Sequence, residues 1–283
     1  MTKQTCRIDY MRGTTQDEQA IRDAAQGYFS DNTTTPSVPL YGYKHALKHN
    51  SSGALYLFGG HTPSMGNCQQ FSGMAITSLM EAFSQSSVPA LAYIFDDRWK
   101  VTRLDVAIDI FNPELRPRHI YAALDRKDLK SIWRSWREVA QKDLDAGHTV
   151  YGGGLESEKR IRIYDKAAEQ GVEGVWTRYE MVFSGKRADE VWQAIKGLRT
   201  DAELLPYARA LLTSMVDFPD WQTWRDEFGE AGVVQWVEVP RVESDTWRWL
   251  VAQVMPTFRN DYERTGNWGL LERFVRECKG NMD

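Results

Sequence analysis

Cysteine is scarce in this chain: Cys6, Cys68 and Cys278 are the three copies in 283 residues. They show no C-x-x-C spacing, which excludes a zinc ribbon, a redox pair and a disulfide scaffold. Histidine is scarce too, with five copies and no His-hydrophobic-His pair, so the two-histidine metal site of many nucleases is missing. His45-x-x-x-His49 has the spacing of one helix face. Its flanks, Tyr41-Gly42-Tyr43 and Asn50-Ser51-Ser52-Gly53, point instead to a turn or strand edge. Gly59-Gly60-His61 lacks the Lys-Ser/Thr ending of a phosphate loop. No stretch approaches the roughly 18 consecutive apolar residues of a membrane span. The first ten residues carry Arg7 and Asp9 and no apolar signal region. The expectation is a protein of the reducing cytoplasm with no membrane partner.

An excess of positive charge is also missing. Lys and Arg number 35 against 39 Asp and Glu, net −4, and the isoelectric point is about 5.8. Taken whole, that balance argues against a nucleic-acid partner. Its distribution argues otherwise. Residues 216–283 hold eight basic and thirteen acidic side chains, net −5, together with six of the eleven tryptophans. The 27 basic and 26 acidic residues before them give +1. The composition shifts at Asp217-Phe218-Pro219-Asp220, a breaker sequence. This predicts one domain over 1–215 and a second over 216–283. A chain that is 42% hydrophobic and 26% charged has enough apolar residue for such cores.

Hydropathy periodicity predicts strands at 5–11, 100–111, 149–151, 160–165 and 175–183, and a hairpin from 41–48 and 54–58. Helical spacing marks 17–29, 73–84 and 187–198. A long helix is predicted over 119–146, with Leu129, Ile132, Trp133, Trp136 and Val139 as its core stripe. Strands and helices mix without βα alternation, which indicates an α+β fold around an antiparallel sheet. One sheet face would carry the site and the other the helices, with a small helical or winged-helix-like domain at the C-terminus. Arg7-Ile8-Asp9 and Arg103-Leu104-Asp105 repeat one pattern on two strands, a hint of internal duplication.

Side chains alternate between the faces of a strand. One face of 101–110 presents Arg103, Asp105, Ala107 and Asp109. The matching face of 160–166 presents Arg160, Arg162, Tyr164 and Lys166, and that of 175–183 presents Trp176, Arg178 and Glu180. A solvated sheet face accounts for any one of these strands. Across three strands, carboxylates that suit a divalent ion, cations that suit phosphate and a tyrosine nucleophile make an inventory for phosphodiester chemistry. Cross-strand pairing with Arg178 or Arg162 is the alternative role for the carboxylates.

Four blocks extend the argument: Val101 to Phe111 with R-x-D-x-x-x-D, Tyr151 to Ser157 with Y-x-G…S, Arg162-Ile163-Tyr164-Asp165-Lys166, and Trp176-Thr177-Arg178-Tyr179-Glu180. In this order they resemble the replication initiation factor family, the trans-acting Rep proteins of rolling-circle plasmids, with relatives in filamentous phages and among relaxases. The resemblance implies a DNA nicking-closing enzyme that forms a 5′-phosphotyrosine on single-stranded origin DNA and frees a 3′-OH for synthesis. It carries the nucleophile to Tyr164, with Lys166 and Arg178 assisting. It carries the metal ligands, for Mg²⁺ or Mn²⁺, to Asp105, Glu180 and Asp109. Arg103, Arg160, Arg162 and Ser157 are the expected DNA contacts. Some members have a second tyrosine after the lysine, where this chain has Ala167 and Ala168. Family members generally work as dimers and meet a host helicase, roles expected of 216–283.

A free phenol has a pKa near 10, so neighbouring cations such as Lys166 and Arg162 are expected to lower that of Tyr164. Three rivals stay open: a metal-dependent endonuclease using water, a non-catalytic DNA-binding regulator on the same fold, and a carbohydrate-active protein built on paired carboxylates. The arginines beside the carboxylates weigh against the last.

Overall fold

The computed structural model describes residues 3–38, 40–125, 129–139, 147–230, 232–234, 236 and 254–280. The chain runs β1 (Lys3–Thr15), α1 (Glu18–Gln26), β2 (Thr33–Thr34), β3 (Tyr43–His49), β4 (Leu55–Gly60), β5 (Asn67–Ser72), α2 (Gly73–Phe83), α3 (Ser87–Ile94) and β6 (Lys100–Phe111). It continues with α4 (Pro117–Asp125), β7 (Lys130–Ser131), β8 (Trp136–Val139), β9 (Thr149–Gly152), β10 (Lys159–Asp165), α5 (Lys166–Gln170), β11 (Trp176–Ser184) and α6 (Gly185–Ile195). Then come α7 (Asp201–Met215), β12 (Val216–Asp217), α8 (Gln222–Phe228), α9 (Met255–Thr265) and α10 (Gly269–Gly280).

Ten strands form one sheet in the order β2-β3-β4-β5-β1-β6-β11-β10-β9-β8, antiparallel at every pairing. The expected α+β class is therefore observed. Alternation explains the layers. Ile8, Met11, Leu104, Val106, Ile108, Ile110, Ile161, Ile163, Met181 and Phe183 are buried along one face. Val191, Trp192 and Ile195 of α6, and Leu204, Ala208 and Leu211 of α7, are buried with them. Tyr179 meets Trp224 and Phe228 of α8 with ring centroids 6.2 and 4.9 Å apart. β1 runs on past the expected stop at Gly13, because the absent side chain leaves room for the Phe95 ring 2.8 Å from where a Cβ would stand.

The two Arg-x-Asp triplets lie on the adjacent central strands β1 and β6. A second echo flanks them: Phe71-Ser72-Gly73 leads from β5 into α2, and Phe183-Ser184-Gly185 leads from β11 into α6. Each central strand thus has its own outer strands and its own following helix, the arrangement expected of a duplication.

The long helix expected over 119–146 does not form. Helix α4 ends at Asp125, and β7 and β8 follow; residues 126–128 and 140–146 lie outside the described residues. The apolar spacing of Trp133 and Trp136 serves an extended chain instead. Trp136 pairs across strands with Gly152, where a Cβ would lie 2.7 Å from its ring, and a Cβ on Gly153 would lie 2.7 Å from Trp133. Two glycines therefore make the landing surface for two indoles. Ile132 and Val139, expected in the core, are exposed.

Two compact units divide at 235/236. The first extends past the composition break at Val216, since Val216 pairs with Ser131 and Asp217 with Lys130. Asp217 also accepts hydrogen bonds from Trp224 at 3.1 Å and from Arg225 at 2.8 Å. In the second unit, α9 and α10 meet through Phe258 and Phe274, and Tyr262 stacks on Trp268. Among the described residues no helix is long and apolar enough to cross a membrane.

Candidate active site

The register of the sheet sets the polar face in rows. One row reads Arg137, Tyr151, Arg162, Glu180, Ala107 across β8, β9, β10, β11 and β6. The row on one side reads Thr149, Tyr164, Arg178, Asp109, and that on the other Arg160, Val182, Asp105, Tyr10. Asp105, Glu180, Tyr164 and Arg162 are thereby gathered, as alternation on three strands predicts.

Asp105 and Glu180 are 2% and 1% exposed. Arg103 clasps Asp105 with two hydrogen bonds, Nε to Oδ1 at 2.9 Å and Nη2 to Oδ2 at 2.7 Å. Arg162 binds Oε1 of Glu180. Burial pushes the Asp105 carboxyl up to about 6; Arg103 opposes this and the Glu180 charge adds to it. Two buried carboxylates, the charge of Glu180 raising the Asp105 pKa, suit a cation beyond the guanidiniums they already hold.

Asp109 takes the cross-strand pairing that stood as the alternative to metal binding. Arg178 donates to its two oxygens at 2.7 and 2.8 Å, and the Trp176 indole donates to Oδ1 at 2.6 Å. The other arm of Arg178 reaches Asp9 at 2.8 Å. Burial disfavours the Arg178 charge, but Asp109 and Asp9 outweigh it and the guanidinium pKa is raised. Asp109 is thus held by Arg178 and Trp176, and among the described residues no three His, Cys, Asp or Glu side chains cluster to hold a metal. The three expected carboxylates therefore do not form one cluster. Arg178, opposite Tyr164 in its row, is paired with Asp109 and Asp9 in an ion triad.

The Tyr164 hydroxyl donates to Oε2 of Glu180 at 3.0 Å. Its pKa is raised, not lowered: burial and the Glu180 charge outweigh Arg178 and Arg162. Lys166 is engaged by Glu169 at the start of α5, and its ammonium lies 5.6 Å from the Tyr164 ring centroid. The Ser157 hydroxyl donates to the Lys159 carbonyl at 2.7 Å within the turn after the glycines, so its polar capacity goes to local structure. His45 and His49 lie on strand β3.

Three aromatic–cation pairs line the face, and two of them extend it beyond the expected residues. Arg103 covers the Tyr10 ring at 4.3 Å, Arg137 covers Tyr151 at 4.8 Å, and Arg162 covers Tyr164 at 5.4 Å. Asp9, Tyr10, Arg137 and Tyr151 were not among the expected site residues. The Arg7-Ile8-Asp9 echo was the available signal for Asp9, since a duplicated strand brings its aspartate to the same face. The helical spacing of 119–146 put Arg137 on a helix face that reads as solvated, with DNA backbone as the alternative.

This polar sheet over a helical layer defines a class. The fold is that of a solved rolling-circle replication initiator protein from Geobacillus stearothermophilus, with a TM-score of 0.62 at 18% identity over 82% of this chain and 93% of that one. The model of the replication initiation factor family matches residues 99–266. The chain belongs to the replication initiation factor family, as its four blocks imply. No curated protein sequence matches it.

Proposed function

We propose that this replication initiator nicks and rejoins single-stranded origin DNA through a 5′-phosphotyrosine at Tyr164. The observation that carries the proposal is the Tyr164–Glu180 hydrogen bond of 3.0 Å beside Asp105 and the surrounding arginines. In the nicking step the Tyr164 oxygen forms a bond to the scissile phosphorus while the bond from phosphorus to the 3′ oxygen breaks. Glu180 is in place to accept the phenolic proton, and the departing 3′ oxygen takes a proton from solvent. Arg162 and Arg103 stand where they offset the added charge on the phosphoryl oxygens. Attack by a 3′-OH on the phosphotyrosine reverses the step and reseals the strand without a nucleotide cofactor.

Asp105 and Glu180 fit the role of two oxygen ligands for Mg²⁺ or Mn²⁺. Such an ion supplies Lewis-acid polarisation of the phosphate. The accessory role expected of 216–283, in homodimer or helicase contacts, is proposed for the unit beginning at Trp236.

One observation favours a second mechanism. Tyr164 is 6% exposed and its pKa is raised, which suits a structural phenol beside a metal-dependent endonuclease that uses water. The test is incubation of the full chain and of Tyr164→Phe with Mn²⁺ and single-stranded oligonucleotides tiling the replicon that encodes it. The proposal expects a nucleotide mass on the Tyr164 peptide of the wild type and neither adduct nor nick with the variant. Nicking retained by Tyr164→Phe transfers the function to the water mechanism.

A further inference from the structure

Beside the carboxylate pair the polar face opens into a cleft of about 370 Å³, at the small end of the ~300–1,000 Å³ typical of ligand pockets. Arg103, Arg137, Arg160, Arg162 and Tyr151 stand around it and Val182 lies in its floor. Among the described residues no carboxylate lines it. Register explains the shape. Val182 is the short side chain between Arg160 and Asp105 in its row, so the long side chains on each side become walls.

The cations there are not all neutralised. Arg103 and Arg162 reach Asp105 and Glu180 at one edge of the cleft. Arg160 makes no ion pair among the described residues, and its buried Nε has no hydrogen-bond partner. Burial and the nearby Arg103 and Arg162 charges lower its pKa, as expected of a cation held among cations. A buried guanidinium donor without an acceptor is costly, and a phosphate supplies both the acceptor oxygens and the charge. The Tyr151 ring, half-buried and covered by Arg137 at 4.8 Å, adds an aromatic surface. It lies directly opposite Arg162 in the register.

We propose that this cleft is a nucleotide subsite for single-stranded DNA, holding one phosphate on Arg160 and Arg162 and stacking the attached base on Tyr151. The subsite rests on the proposal above that this face works on single-stranded DNA. It adds the position of the nucleotide next to the scissile phosphate, because Arg103 and Arg162 border the cleft and the carboxylate pair alike. An unpaired base is required, since a base within a duplex offers no free face for stacking.

The test is the affinity of the full chain for a labelled single-stranded oligothymidylate, measured against salt. Tyr151→Ala is expected to weaken binding by about tenfold and Tyr151→Phe to leave it unchanged, stacking being retained. Arg160→Ala is expected to reduce the salt slope by about 0.7, the loss of one single-strand phosphate contact. On the unaltered chain, a single strand carrying 5-iododeoxyuridine should photocrosslink at Tyr151, which needs no folded variant. Crosslinks confined to other residues, or wild-type affinity and slope in both alanine variants, overturn the subsite. An adduct at Tyr164 together with unchanged binding by both variants overturns the subsite and leaves nicking standing. Loss of binding by both variants, with no adduct in the wild type, supports the subsite and removes nicking.

Discussion

The Arg178 triad makes the sharpest prediction. Arg178→Ala removes a guanidinium whose side chain is 5% exposed and leaves Asp109, also 5% exposed, with the Trp176 indole as its one side-chain donor among the described residues. Removing one partner of a buried ion pair costs about 3–5 kcal/mol, because the other charge is left buried and uncompensated. Asp9 is 20% exposed and can be partly rehydrated, so it adds little to that figure. At roughly 2–4 °C per kcal/mol for a domain of this size, the melting temperature should fall by roughly 6–20 °C. Asp109→Asn keeps the shape and leaves Arg178 with Asp9, so a smaller loss of about 1–3 kcal/mol is expected. Urea denaturation with and without Mn²⁺ measures both. The structural role of Asp109 requires its loss to be the same in metal and in chelator. A loss for Arg178→Ala below about 1 kcal/mol, typical of surface pairs, would refute the buried-triad argument. A destabilisation of Asp109→Asn that appears only when Mn²⁺ is present would return Asp109 to the metal set.

Other predictions follow from single contacts. Tyr164→Phe should cost about 1 kcal/mol, one buried hydrogen bond, so its loss of adduct will not reflect unfolding; circular dichroism melts check this. Gly152→Ala should destabilise by about 1–3 kcal/mol through overpacking, since its Cβ would meet the Trp136 ring at 2.7 Å. Trp fluorescence should report the displacement, and a neutral effect would contradict the indole's placement. Glu227 is 5% exposed, and burial pushes its carboxyl up to about 7. Its folded pKa exceeds its unfolded one, so it contributes stability that is full below about pH 4.3 and is lost as pH rises through 7. Glu227→Gln should therefore raise the melting temperature at pH 8 more than at pH 5, and equal shifts would discard the buried-acid account.

Alternation was the most legible feature of the sequence. A period of two on 101–110, 160–166 and 175–183 separates charge from apolar residue whatever the partners are, so the polar face and the grouping of Asp105, Glu180, Arg162 and Tyr164 could be named in advance. The overall charge of −4 was uninformative until divided, because charge acts over about a Debye length and not over a whole chain. The four blocks carried the family because they combine chemistry with strand spacing.

Tertiary structure decided what spacing leaves open. Asp105 and Asp109 share a face, but Arg178 pairs with Asp109 and not Asp105 because register sets β11 against β6 at that level. Whether Tyr164 is activated or shielded depends on burial, which raises its pKa against the nearby cations. Residues 129–139 fit a helix by apolar period, yet Gly152 at the end of the next strand and Gly153 just after it offer the indoles a better surface. Residues 216–228 look like the tail by composition and belong to the first unit by contact. In each case sequence determined which groups were present and which way they alternated. Only the long-range pairing of strands determined which opposite charge each one meets.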